Sequence, residues 1–199
     1  MRYGWLWHGP SGYKPTRATT LSLSFDDATD LRLIEPGTPQ IAAVWLVEDW
    51  AQAEPLSKLG PEPFSSAFTS EAFTQALTGK RRMIKKVLTD QAIVAGIGNA
   101  YADEILFLSR ISPFRFVHTL SSEELARLWR AIPETLRWAI QEIKDRVGEN
   151  LFDKEIRDFL YVHGRAGLPC RICGTPIGEV LFEGQRTNYC QKCQNVSPR

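Results

Sequence analysis

The chain has 199 residues and a formal net charge of +1, with 43% hydrophobic and 24% charged residues. That balance excludes a disordered tail and suits one or two small globular domains. The longest uncharged apolar candidate, 36–47, holds two prolines and falls short of the ~20 residues a membrane helix needs, so no membrane partner is expected.

The opening Met1-Arg2-Tyr3-Gly4-Trp5 lacks the apolar core and cleavage site of a secretory signal, so an intracellular protein is expected. Residues 1–79 hold five Lys/Arg and nine Asp/Glu, a balance of −4. Residues 80–199 hold nineteen and fourteen, a balance of +5. A polyanion-binding surface is therefore expected in the C-terminal part, although +5 over that length is also ordinary for a soluble protein.

Residues 1–50 read as β-rich. The run Thr19–Phe25 alternates with period two and places Leu21, Leu23 and Phe25 on one face. A turn over Asp26–Asp30 leads into a second strand, Leu31–Ile34; Ile41–Val47 reads as a third, more buried one, and Tyr3–Trp7 as a possible fourth. So few strands are thin for a closed sandwich, so the segment is expected to be part of a larger sheet, with exposed apolar faces and an unpaired edge that favour association. Pro55, Pro61 and Pro63 mark 51–69 as a linker.

From residue 70 the periodicity turns helical. Ser70 is expected to cap a short helix to Leu77 that stops at Gly79, and Arg81–Leu88 to form a second. A Gly96-Ile97-Gly98-Asn99 turn precedes a helix over Ala100–Ser109, with Asn99 placed to cap it; the free N–H groups of such a helix start suit a phosphate. Gly-x-Gly alone is a weak signal that reads first as a plain tight turn. Ser121 and Glu124 form a capping box. The following helix carries Leu125, Leu128, Trp129, Ile132, Leu136, Ile140, Ile143 and Val147 at helical spacing, a core stripe that Pro133 should kink or split. A last short amphipathic helix is expected over 151–160.

Cys170, Cys173, Cys190 and Cys193 follow the pattern C-x2-C-x16-C-x2-C. A two-residue gap lets two thiolates converge on one ion, and two such knuckles at the ends of a hairpin complete a tetrahedral site. The spacing points to one structural Zn²⁺, with no open position for water or substrate. Two disulfides or a dithiol redox site are the alternatives; no secretory signal supports the first and no thioredoxin-like pattern the second. Gly178 and Gly184 punctuate the two short strands between the pairs. A ribbon this small takes much of its folding energy from the metal.

The run RMIKKVLTDQ at 82–91, then IVAGIGNAYADEILF at 93–107, then GQRTNYCQKCQ at 184–194 resembles the formamidopyrimidine-DNA glycosylase/endonuclease VIII family of base-excision repair enzymes. The likeness is strong over 80–199 and weaker over 1–79. It implies an α+β fold: a partial antiparallel β-sandwich at 1–50, the 51–69 linker, a helix–two-turn–helix module at 70–162 and a zinc-finger ribbon hairpin at 163–199. It implies double-stranded DNA with a damaged or abasic site as partner, and a cytoplasmic, nucleoid-associated location if the chain is bacterial. By resemblance Asn99, with Gly98 before it, contacts a phosphate flanking the lesion, and Arg186 bridges the phosphates on either side, which a guanidinium fork suits better than an ammonium. The zinc would hold that loop rigid. Lys85 matches a family lysine that approaches the same backbone, and is otherwise a solvated surface lysine. Arg165 is a weaker DNA-binding candidate, beside a locally bonded His163. Tyr101 is expected to face the core with its hydroxyl at the phosphate.

The resemblance also implies catalysis by an N-terminal proline amine, which forms a Schiff base at C1′ before β- and δ-elimination, and by the glutamate after it. This sequence opens Met1-Arg2 and has no counterpart for either, nor for the family's early-sheet lysine. Where the family has an Asp-x-Arg-Arg-Phe-Gly loop, this chain reads Glu35-Pro36-Gly37-Thr38-Pro39-Gln40. The expectation is a damaged-DNA-binding protein of the glycosylase/abasic-lyase lineage without an assigned catalytic residue. The alternatives are a naturally short DNA-binding module, or a weak lyase using another amine such as that of Met1 or Lys14.

Overall fold

The structure is a computed structural model that describes residues 4–40, 42–49, 53–148, 156–182 and 184–196. The chain divides into two compact units, 1–53 with 149–155, and 54–148 with 156–199.

In the first unit, β1 (Trp5–Pro10), β2 (Thr19–Ser24) and β3 (Thr29–Ile34) form an antiparallel sheet in the order β1-β3-β2. The register runs from Trp5↔Ile34 to Pro10↔Thr29 on one side of β3, and Leu23 faces Leu31 on the other. Asp30 and Arg32 form a buried ion pair at 2.6 Å, with the guanidinium over the Trp7 ring. The period-two pattern marks the strand correctly, but Leu23 and Phe25 stand exposed. The expected third strand over Ile41–Val47 does not form. Position 41 lies outside the described residues, and 42–49 is irregular, with Val44, Trp45 and Leu46 exposed. The physical reason is local: the Glu35 carboxylate takes the Ala42 amide at 3.1 Å, an alternative to a strand ladder.

The second unit is built on α1 (Glu54–Ser57), α2 (Ser70–Leu77), α3 (Ile84–Leu88), α4 (Asn99–Leu108) and α5 (Ser122–Val147), followed by the hairpin β4 (Ile177–Phe182) and β5 (Gln185–Cys190). The stretch after α1 folds onto the helices: Gly60 N–H donates to Gln91 O, Ala95 N–H to Pro61 O, and Phe68 is buried. Thr69, not Ser70, caps α2; its backbone is extended and its Oγ1 accepts from the Ala72 amide at 3.1 Å. α3 starts at Ile84, later than expected, because Met83 pairs with Phe116 and the Ile84 amide donates to Arg115 O.

α5 has the expected Ser121/Glu124 capping box, and it runs unbroken through Pro133. Leu128 and Ile132, before the proline, and Thr135 and Ala139, after it, are all buried, so packing on both sides offsets the lost hydrogen bond. Ile140 of the expected stripe is exposed. Phe73, Leu88, Ile97, Ile105, Leu128 and Ile132 belong to the main apolar cluster, with α4 near its centre. Of the expected helix at 151–160, the first five residues lie outside the described ones. The rest is not helical, and Phe159 and Leu160 pack beside Ala139.

Candidate functional site

The four cysteines meet at the base of the β4–β5 hairpin, where Ile177 pairs with Cys190. Their ligand atoms all lie within 4.8 Å of one another. Cys170 and Cys193 sulfurs are 3.9 Å apart, and Cys173 and Cys190 sulfurs 3.5 Å. A tetrahedral ion with ~2.3 Å metal–sulfur bonds sets sulfurs ~3.8 Å apart, whereas a disulfide needs ~2.05 Å. The residues therefore fit a four-thiolate ion, and none of the four is disulfide-bonded. Two features shape the first knuckle: the Gly174 amide donates back to Cys170 O, and Gly174 takes a left-handed φ of 74°. The Thr175 hydroxyl, 3.4 Å from Cys173 Sγ, draws that thiol down to about 6, while burial pushes Cys190 and Cys193 up. The thiols packed against Phe107, Val162 and Ile177 tie this centre to α4. Buried Gln194 adds a polar tie, accepting from the Cys190 amide and donating to Ile111 O, both at 2.9 Å.

At the other end of the hairpin, β5 presents Arg186. Its side chain is 72% exposed, with Glu179 Oε1 3.5 Å from the guanidinium. Its carbonyl accepts from Asn99 Nδ2 at 2.9 Å and from Lys85 Nζ at 3.0 Å. The structure thus brings Lys85, Asn99 and Arg186 to one place, from α3, α4 and β5. Lys85 is not a solvated surface lysine. It is 6% exposed and meets Asp103 Oδ1 at 2.6 Å and Thr187 Oγ1 at 2.8 Å. Burial pushes its ammonium below the usual lysine range, and Asp103 opposes that shift.

Asn99 is the first residue of α4 rather than its cap. Gly98 occupies the cap position, so no side chain caps the helix, and the Asn99 amide group is spent on the hairpin. The helix start is held from the inside by Gln91, whose Oε1 accepts from the Gly96 amide and whose Nε2 donates to Ile97 O. A Cβ at Gly98 would meet nothing within 4 Å, so the fold leaves this spot open rather than demanding glycine there. Tyr101 is half-buried against the apolar clusters on either side of α4. Arg165 is half-buried with its Nε out of solvent, and its neighbour Gly164 donates to Asn188 Oδ1 on β5 at 2.9 Å. His163 bonds Asp103 Oδ2 at 2.8 Å.

Several residues that hold this site escape sequence reasoning: Gln91, Asp103, Glu104, Asn188 and Gln194. Glu104 is fully buried, and its carboxylate accepts three backbone N–H groups from Tyr161, Val162 and His163. Burial nevertheless raises its pKa above the usual glutamate value. The one sequence signal is an Asp-Glu pair inside an otherwise apolar helix, NAYADEILFL.

Together the fold and site define a helix–two-turn–helix protein with an appended four-cysteine hairpin. Residues 59–150 match the family model described as the formamidopyrimidine-DNA glycosylase H2TH domain. A formamidopyrimidine-DNA glycosylase of Acaryochloris marina is 39% identical over 190 residues, 90% of this chain and 65% of its own length. One from Listeria innocua is 34% identical over 90% of this chain and 67% of its own length. Among solved structures, MutM (Fpg) from Thermus thermophilus superposes with a TM-score of 0.70 at 32% identity, covering 93% of this chain and 71% of that one. Lactococcus lactis Fpg bound to DNA containing an AP site gives 0.74 at 25% identity, covering 96% and 70%. The chain belongs to the formamidopyrimidine-DNA glycosylase/endonuclease VIII family. It spans about two thirds of the length of these curated relatives. Among the described residues, no helix is long and apolar enough to cross a membrane.

Proposed function

We propose that this chain grips the sugar-phosphate backbone of duplex DNA at a damaged or abasic site, as the DNA-holding part of a base-excision glycosylase/abasic lyase. The observation that carries this reading is the convergence of Asn99 and Arg186, joined at 2.9 Å. An uncapped helix start offers oriented N–H groups to a phosphate, and Gly98 leaves room for the DNA backbone to approach. The exposed guanidinium of Arg186 supplies a fork for phosphate oxygens. Lys85 contributes through the hairpin carbonyl it holds, while Tyr101 seats α4 and Arg165 flanks β5. Zn²⁺ is the ion we propose for the four thiolates; its role is to fix the hairpin that carries Arg186. The groups that grip are the backbone N–H groups at the start of α4 and a guanidinium, and the Lys85 ammonium is engaged by Asp103, Arg186 and Thr187. The reading for this site is accordingly binding, with no amine nucleophile assigned.

The test is affinity for duplexes with and without an abasic-site analogue across a range of salt. Salt-dependent binding that favours the lesion is expected. Arg186→Ala and Asn99→Ala should each weaken it about tenfold, and Arg186→Ala, which removes a cation, should also lower the salt slope by about 0.9. Salt-independent binding, or variants that bind like the parent, would overturn the reading. Borohydride reduction on abasic duplex should trap no covalent complex; capture would replace the binding reading with an active lyase.

A further inference from the structure

We infer that Asp103 is a positioning residue for Arg186: it orients the hairpin through Lys85 and the Asn188 amide without touching DNA. The inference rests on the DNA-gripping role proposed above.

Asp103 sits on α4 with its side chain fully buried. Oδ1 lies 2.6 Å from Lys85 Nζ, and Oδ2 lies 2.8 Å from His163 Nδ1 and 3.1 Å from the Asn188 amide. One carboxylate thus gathers groups from α3, from β5 and from the 161–164 segment. Lys85 passes the restraint onward, donating to Arg186 O and Thr187 Oγ1. Three consecutive hairpin residues, 186 to 188, are therefore held by one buried cation–carboxylate pair. The 161–164 segment closes the arrangement, since the Gly164 amide donates to Asn188 Oδ1.

A buried pair of this kind is poor evidence for stability, because desolvating two charges offsets most of their attraction. Its position is more informative than its energy. The Arg186 side chain is largely exposed and meets Glu179 only at 3.5 Å, so the backbone beneath it sets where the guanidinium points. That backbone is what Asp103 fixes. Without the carboxylate, the Lys85 ammonium has no counter-charge in a dry site. It then moves to solvent or loses its proton, and either change weakens its hold on the Arg186 carbonyl, leaving Asn99 Nδ2 to hold that oxygen.

The test uses the full chain with its metal bound and a duplex bearing a tetrahydrofuran abasic analogue. Affinity and salt slope are measured for the parent, Asp103→Asn, Arg186→Ala and the double variant. Asp103→Asn should weaken binding about tenfold and lower the slope by about 0.9, as if the arginine contact were lost. The double variant should bind within about twofold of Arg186→Ala alone, because both changes remove one interaction. Losses that multiply, or an Asp103→Asn protein that binds like the parent, overturn the inference. Should Asp103→Asn fail to fold, Lys85→Met with Asp103→Leu removes both charges and relieves the buried-ion penalty. That protein should melt near the parent yet still show no further loss on adding Arg186→Ala; if it keeps the parent's DNA affinity, the inference is wrong. Amide exchange separates this inference from the functional reading. If the parent itself shows no salt-dependent affinity for DNA, the functional reading has failed. Faster exchange at Thr187 and Asn188 in Asp103→Asn, with the cysteine segments unchanged, then upholds the positioning, and unchanged exchange overturns it.

Discussion

In the sheet unit Leu6, Leu23, Phe25, Val44, Trp45 and Leu46 stand exposed, and its described buried side chains are led by an ion pair, Asp30 with Arg32. In the helical unit Phe73, Leu77, Leu88, Ile105, Leu128 and Ile132 are at most 2% exposed. Both regions have apolar residues at the spacing their secondary structure requires. Among the described residues, the helical unit covers most of its apolar residues with its own chain, whereas the sheet unit leaves most of its own exposed. Periodicity therefore reports which residues share a face, and not whether that face has a partner. The helical unit holds the resources for independent stability, whereas the sheet unit relies on hydrogen-bonded strands with little apolar burial behind them.

The largest expected effect is loss of the Zn²⁺ proposed for the four thiolates. Four-thiolate ions supply on the order of 10 kcal/mol to the folding of small metal-bound modules. Chelation, or Cys190→Ser, should unfold the hairpin, abolish the metal signal in elemental analysis and weaken duplex binding by about 100-fold. Amide exchange in β1–β3 should not change, since those strands belong to the other unit. Exchange that rises equally in both units would show one cooperative body and erase the contrast.

A pair of truncations sharpens the same contrast at smaller scale. Leu128→Ala removes a fully buried side chain and should cost about 3 kcal/mol in urea unfolding. Leu23→Ala removes an exposed one and should cost under about 0.5 kcal/mol. An equal cost at Leu23 would mean that the open sheet face is covered in solution.

What could be read from the sequence was local. The C-x2-C pairs and the Ser121/Glu124 box each need only a few neighbouring residues, and each forms in the structure, while the Gly96–Asn99 stretch does lead into a helix but with Gly98 rather than Asn99 at the cap. Asn99 and Arg186 could be singled out, but not the 2.9 Å bond that joins them across 87 positions. Lys85 read equally as a phosphate contact or a surface lysine, because its burial depends on residues about 100 positions away. Asp103 carried no motif, and its role emerges only when α3, α4 and β5 are assembled. The Ile41–Val47 run misled for the converse reason. Its composition suits a buried strand, while Glu35, a few residues earlier, takes the amide that would have continued a ladder. Pro133 misled because a breaker's cost of ~3 kcal/mol is smaller than the burial on both sides of it.

A smaller effect than the Leu128 truncation is expected at the start of α5, and it tests whether a local motif contributes measurably inside the stable unit. Burial pushes the Glu124 carboxyl up, but the Ser121 amide and the Arg115 guanidinium pull harder, so its pKa falls below the usual glutamate value. A group held lower in the folded chain than in the unfolded one stabilises above its unfolded value, and loses that contribution as pH falls through its folded value. Stability measured by urea unfolding should therefore decline on acidification below about pH 4.3, the ordinary glutamate value. Ser121→Ala removes the hydroxyl that accepts the Glu124 amide and should cost about 1 kcal/mol at neutral pH. Glu124→Gln keeps the shape but not the charge, so its acid limb should be shallower than the parent's. An unchanged limb would place the acid sensitivity of the chain elsewhere, in carboxylates such as Asp30 and Asp90 that are also held low by their arginine partners.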